Sequence, residues 1–169
     1  MSKSLFVLAM LSILGSVQWA AADNPSFRAD RKITGEYFRP HTASTYHQGA
    51  IRHAETLGYY GRRYSNVPVE TTREHAAEIV RNLNAAKKEL SKLEKEAKGN
   101  KPVEAHLKAI ESHHAKATEL AKQLEDKSAD AKTIAACTAN IAKELKAAEA
   151  ENEKLKKTLG IVEPPAKTK

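Results

Sequence analysis

The feature that most limits the possible folds is a stretch of 90 residues, positions 70–159, that contains no aromatic residue. Ala, Lys, Glu, Leu and Arg make up 60 of these 90 residues, a composition that is typical of long helices and coiled coils. Its one glycine and one proline, Gly99 and Pro102, lie close together and indicate a turn. The stretch therefore predicts long helices whose short connections make neighbouring helices antiparallel.

Apolar residues recur in this stretch at alternating spacings of three and four, which is the pattern of one buried helical face. The pattern predicts helices at about 70–98, 101–126 and 129–159. The predicted buried positions are Ala76, Ile79, Leu83, Ala86, Leu90, Leu93 and Ala97 in the first helix, Val103, Leu107, Ile110, His114, Ala117, Ala121 and Leu124 in the second, and Ile134, Thr138, Ile141, Leu145, Ala148, Asn152, Leu155 and Leu159 in the third.

The ends of these helices carry capping signals. Thr71 and Glu74 have the spacing of a capping box at the start of the first helix. Asn100 and Ser128 are predicted N-caps of the second and third helices. Gly160, followed by an apolar residue, predicts a Schellman stop at the end of the bundle.

The segment 23–67 has a different character, because it contains all the aromatic residues that follow the first 22 positions. One shorter helix is expected at about 42–57, with Gly58 as its stop. Residues 23–39 read as irregular and 58–67 as a turn-rich connector. Two arrangements stay open: the helix packs on the other three as a fourth, or the segment is a separate, mobile arm.

Residues 1–22 read as a secretory signal peptide. Lys3 is the basic residue that precedes an apolar run from Leu5 to Val17, and Ala20 and Ala22 are small residues at the positions before a cleavage site. An uncleaved anchor is the alternative. No later run is long and apolar enough to span a membrane, and the tail, 161–169, is expected to be disordered. The predicted localisation is secreted or periplasmic.

The fold class predicted from these patterns is all-α. We expect an antiparallel three-helix coiled-coil-like bundle over 68–160, preceded by a cleaved signal peptide and by the shorter helix as a candidate fourth member. A lone cysteine excludes an internal disulfide framework.

Histidines are the one ligand-rich feature of the chain, which has seven of them. His114 lies on a predicted buried face, where each ring nitrogen needs a partner. Antiparallel helices would place His114 near the level of His47, with His113 beside it and Cys137 about one turn away. Imidazole and thiolate ligands suit zinc or copper, so these four residues are a candidate metal site. The alternative is a core histidine with ordinary hydrogen-bond partners and, at Cys137, a small buried side chain.

A second candidate site is the Arg- and Tyr-rich sequence at Tyr59, Tyr60, Arg62, Arg63 and Tyr64. Cationic and aromatic side chains together can bind an anionic or aromatic surface. The alternative is a solvated connector whose tyrosines cover one end of the bundle. Because export is predicted, a protein or an anionic envelope polymer is the expected partner, and nucleic acid is not.

The sequence contains no nucleophile elbow, phosphate-binding loop, zinc-protease motif or dinucleotide-binding turn. We therefore expect an exported, non-enzymatic helical-bundle protein that acts as a structural or interaction module in the cell envelope or outside the cell. No cofactor is expected under this interpretation, and self-association is plausible because alanine-rich faces leave room for further helices. The alternative is a histidine-based bundle that binds Zn, Cu or Ni.

Overall fold

The computed structural model describes residues 35–126 and 129–161, and four helices in these ranges pack against one another. Helix α1 spans Gly35–Arg63, α2 spans Val69–Glu96, α3 spans Lys101–Asp126 and α4 spans Ala131–Thr158. The described ranges contain no strand, so the all-α prediction is confirmed. The predicted signal peptide and residues 162–169 lie outside the described residues.

Each helix packs on two others, so the bundle is a closed square. Helix α1 contacts α2 and α4, and α3 contacts the same two helices from the opposite corner. Helix α1 is therefore a full member of the bundle rather than a separate arm. None of the described helices combines the length and the apolar character that a membrane crossing needs.

The predicted buried faces form the core. Every predicted position is buried except Ala97 and Leu159, which lie at helix ends and are half-buried. The apolar residues separate into two clusters, one around Ile79 and Ile141 and the other around Leu93 and Leu155. Since truncation of a buried leucine to alanine costs about 2–5 kcal/mol, these large residues carry most of the stability between the many small alanines.

Helix α1 is longer than the predicted 42–57 at both ends. The prediction that Gly58 ends the helix is wrong, because helical structure continues to Arg63. Glycine is used here for close packing: a Cβ at Gly58 would lie 2.7 Å from the Thr138 hydroxyl, and one at Gly61 would lie 2.7 Å from the Ala131 carbonyl oxygen. These two glycines therefore let α1 lie directly against α4.

The start of α1 also differs from the irregular structure predicted up to residue 39. Helix α1 begins at Gly35 and contains Pro40, a residue that more often stops a helix. Because Pro40 lies in the second turn, its missing N–H removes one backbone hydrogen bond only. The side-chain amide of Asn152 on α4 donates to the Pro40 carbonyl oxygen at 2.9 Å, which ties this part of α1 to the bundle.

Two of the predicted N-caps are wrong. Helix α2 begins after Pro68, with no side-chain cap, so Thr71 lies inside the helix and forms no capping box with Glu74. Helix α4 is capped by Asp130, whose carboxylate accepts a 2.8 Å hydrogen bond from the Thr133 amide. An aspartate caps as well as a serine does, and the predicted cap, Ser128, is outside the described residues.

The other two predicted helix ends are confirmed. The Asn100 side chain accepts from the Val103 amide at 3.4 Å at the start of α3. At the end of α4, Gly160 has a positive φ of 69°. The Ile161 amide donates to the Lys156 carbonyl oxygen at 2.9 Å, as a Schellman motif requires, and Ile161 packs its side chain back into the bundle with 7% exposure.

Candidate functional site

Two of the histidines singled out from the sequence meet in the centre of the bundle. His47 on α1 is fully buried and His114 on α3 is 5% exposed. Their Nε2 atoms lie 2.7 Å apart, which is a hydrogen-bond distance, and the rings meet edge to face. The contact joins diagonally opposite helices, so it holds the two otherwise separate corners of the bundle together.

A chain of polar groups continues from this pair into α4. Nδ1 of His47 donates to the Glu149 carboxylate at 2.6 Å. The other oxygen of Glu149 accepts from the Ser44 hydroxyl, and the Asn152 amide donates to that hydroxyl at 3.0 Å. We call Asn152, Ser44, Glu149, His47 and His114 the buried polar chain.

The electrostatics of the buried polar chain keep its outermost histidine neutral. Burial, followed by the neighbouring charges of His47, Lys87 and His113, lowers the pKa of His114 to about 3. Burial by itself would raise the pKa of Glu149, but hydrogen bonds from His47 and Ser44 lower it below the usual value. Glu149 is therefore ionised at neutral pH, and it fixes the proton of His47 on Nδ1.

His114 connects this interior chain to the surface between α2 and α3. Its ring borders a groove of about 370 Å³ together with Leu90 and Leu107, and a second groove of about 310 Å³ together with Lys87 and Glu111. Among the described residues, none forms a hydrogen bond with Nδ1 of His114. Because Nδ1 of His47 carries its proton, His114 donates from Nε2 to His47 and presents the lone pair of Nδ1 towards this surface.

The structure does not bring the other two candidate ligands to this pair. Nδ1 of His113 contacts the Glu144 carboxylate at 2.7 Å, and this pair is half-buried on the α3–α4 side. The thiol of Cys137 donates to the Leu120 carbonyl oxygen at 3.4 Å. Burial raises the pKa of that thiol, so it stays protonated. The four residues predicted as one metal site thus lie in three different places.

Within the described ranges, no group of three or more His, Cys, Asp or Glu side chains is placed to hold a metal ion. The His47–His114 pair is committed to other contacts. Its Nε2 atoms hydrogen-bond to each other at 2.7 Å, and the Glu149 carboxylate occupies Nδ1 of His47.

A second histidine pair lies six residues further along α1. Nδ1 of His53 and Nδ1 of His75 on α2 are 3.1 Å apart, and both rings are half-buried. Tyr60 packs edge to face on His75 with ring centroids 6.0 Å apart. Burial, and then the charge of His53, lowers the pKa of His75, so this ring is neutral at pH 7.

The Tyr- and Arg-rich candidate site forms the end of α1 and the residue that follows it. Tyr59 and Tyr64 are 51% and 54% exposed, whereas Tyr60 is half-buried against the core. Arg62 and Arg63 occupy the last turn of α1 and are exposed. We call these five residues the Tyr/Arg end.

A shallow groove of about 350 Å³ adjoins the Tyr/Arg end. It lies between the rings of Tyr60 and Tyr64 and the connector to α2, which contributes Asn66 and Pro68. The aromatic side chains predicted as one cluster are thus divided: Tyr60 packs inward and forms part of the groove wall, while its two neighbours face solvent. Rigid aromatic surface next to exposed cationic side chains is suited to contact with a larger partner.

Sequence reasoning missed the carboxylates that pair with the histidines. The contacts His47–Glu149, His106–Glu151 and His113–Glu144 all use glutamates of α4. The glutamates of this helix read as a solvated face in the sequence. The signal that could have found Glu149 is its position directly after Ala148, a predicted buried residue.

Comparison with known proteins adds no functional assignment: no family model, no curated protein and no solved structure matches the chain.

Proposed function

We propose that this protein is an exported, non-enzymatic interaction module that binds an acidic partner through the Tyr/Arg end. The observation that carries the proposal is that two adjacent exposed arginines, which form no ion pair in the part of the chain that the structure describes, lie beside exposed tyrosines at the end of α1. Arg39 forms ion pairs with Glu89 and Glu96. Within the described ranges, neither Arg62 nor Arg63 has a carboxylate at ion-pair distance, although both are exposed.

The chemistry of the Tyr/Arg end supports an anionic partner. Guanidinium groups bind carboxylates and phosphates with two parallel hydrogen bonds. Tyr59 and Tyr64 add apolar contact area that loses little conformational entropy on binding. The positive charge of the whole chain, +7 at pH 7, would attract an acidic surface over a longer range.

The fold supports a binding role in a different way. The grooves described above are shallow, and the groups of the buried polar chain hydrogen-bond to one another across three helices. The exposed surface is therefore the part of the molecule that suits contact with a partner. Export is supported by the apolar run from Leu5 to Val17 and by the small residues Ala20 and Ala22 before the predicted cleavage site. An acidic protein face or an anionic polymer of the cell envelope is the partner class that fits.

The test measures retention of the full chain on immobilised polyglutamate as salt is raised. Arg62→Glu with Arg63→Glu should weaken binding at least tenfold, and Tyr59→Ala with Tyr64→Ala should weaken it further. The matched control is Lys98→Glu with Lys157→Glu, which changes the net charge equally on exposed residues at the opposite end of the bundle. Equal losses in the control would show attraction by net charge alone and contradict the proposed site.

A further inference from the structure

We propose that His53 and His75 form a binding site for one divalent late transition-metal ion. Copper(II) is the ion of this class that the site should bind most tightly. The two rings come from different helices and present the same atom, Nδ1, to each other at 3.1 Å. Both residues are half-buried, so the space beside the pair is open to water. The inference is independent of the proposed partner binding.

The separation of the two Nδ1 atoms fits two ligands of one ion. With metal–nitrogen bonds of about 2.0–2.1 Å, nitrogens 3.1 Å apart subtend an angle of about 95–102° at the metal. This angle lies close to the right angle between neighbouring ligands in a tetragonal copper(II) site. Both rings can thus bind one ion with little movement of α1 or α2, and water completes the coordination.

The partners of this pair distinguish it from the other histidines. His47, His106 and His113 each contact a glutamate, which occupies Nδ1. Among the described residues, His53 and His75 hydrogen-bond only to each other, and nothing occupies their Nε2 atoms. When a metal binds their Nδ1 atoms, the only contact that is lost is the weak one between the two rings, and no hydrogen bond to a carboxylate has to break.

The proton balance of binding is simple. In the metal-free pair, one ring carries its proton on Nδ1 and donates it to the Nδ1 lone pair of the other. On metal binding, that proton is released to water and the same ring takes a proton on Nε2, so both rings stay neutral and each gives Nδ1 to the metal.

The charge around the pair also favours a cation. Glu74 and Glu78 of α2 lie close enough to His75 to act on its charge state. Glu78 is additionally paired with Arg81, so Glu74 is the less compensated of the two. Negative charge next to neutral imidazoles attracts a divalent ion without closing the site to water.

The experiment titrates copper(II) into the full, metal-free chain and follows the bound ion by electron paramagnetic resonance and calorimetry. We expect one equivalent bound by two imidazoles through Nδ1, which pulsed measurements recognise from the remote Nε2 nuclei. His53→Gln and His75→Gln should each weaken binding at least tenfold, because loss even of an outer-shell partner costs about 10–100-fold. The matched controls are His106→Gln and His113→Gln, which should change the affinity less than twofold.

Two further readouts keep the test decisive. Because the ion would join α1 to α2, one equivalent of copper(II) should raise the midpoint of thermal unfolding of the unaltered chain. Circular dichroism checks that each variant is folded. If a variant does not fold, the paramagnetic resonance spectrum of the unaltered chain still identifies the ligands of the bound copper(II). A single bound imidazole, or full binding retained when His53→Gln and His75→Gln are combined, would overturn the proposal.

Discussion

Helix α1 contributes one histidine to each of two histidine pairs, and the two pairs differ in burial and in hydrogen-bond partners. His47 and His114 lie in the centre of the bundle and are backed by an ionised glutamate, whereas His53 and His75 are half-buried and have no carboxylate partner in the described ranges. The first pair presents Nε2 atoms at 2.7 Å and the second Nδ1 atoms at 3.1 Å. Burial and the contact with Glu149 thus make the first pair a structural hydrogen bond, whereas the second pair remains accessible to a metal ion.

The largest expected effect comes from removing the glutamate behind the buried pair. Glu149→Ala should lower the free energy of unfolding by about 2–4 kcal/mol, because it leaves a buried N–H of His47 without an acceptor. Urea titration followed by circular dichroism measures the loss. Glu144→Ala, which removes the partner of half-exposed His113, is the matched control and should cost less than about 1 kcal/mol. Equal losses would mean that burial does not distinguish the two contacts.

The next effect is a dependence of stability on pH. The pKa of His114 is about 3 in the folded chain and about 6.5 in an unfolded one. The unfolded state therefore binds more protons between these values, so stability is complete above about pH 6.5 and falls as the pH drops towards about 3. The slope contributed by this ring is at most about 1.4 kcal/mol per pH unit.

Urea titrations at several pH values between 7 and 5 measure this slope. Protonation of Glu149, whose pKa is also lowered, reduces stability in the same direction at the acidic end. His114→Gln should remove most of the slope, and His75→Gln much less, since water screens the half-buried ring. A slope that survives His114→Gln would assign the effect to other groups.

The smallest expected effect is on the metal-free outer pair. His53→Ala or His75→Ala should change the free energy of unfolding by less than about 1 kcal/mol, because water can replace the lost contact at this half-buried position. His47→Ala, on the same helix, should cost several times more. Thermal unfolding of the two variants side by side measures the difference. Comparable losses would show that the outer pair is as structural as the inner one.

The sequence predicts the core of this fold well, since three helices with strict spacing of apolar residues leave one way to bury them. It also places His47 and His114 near one level, because antiparallel packing relates their positions, but it leaves open whether the two rings meet. The end of α1 was predicted wrongly because Gly58 looks the same in sequence whether it stops a helix or admits a close neighbour. That distinction depends on the Thr138 side chain, 80 positions away in the chain.

The candidate sites are less predictable for the same reason. Whether His113 turns towards His47 or towards Glu144 depends on the rotation of α3, which spacing alone does not fix. The His53–His75 contact needs the register between α1 and α2 to within one turn. Composition and periodicity determine which residues are buried. Which neighbouring side chain each histidine contacts is decided by how the helices pack.

The long sequence separation within the buried polar chain has a consequence for how the protein folds. The contacts of α1 with α4 in this region join positions 102 to 112 apart, from His47–Glu149 to Pro40–Asn152, so they close very large loops of the chain. The entropy cost of closing these loops falls only after the hairpins between neighbouring helices have formed. Groups that meet last contribute little to the folding transition state and much to the barrier for unfolding. The buried polar chain therefore slows unfolding of the native protein more than it accelerates folding.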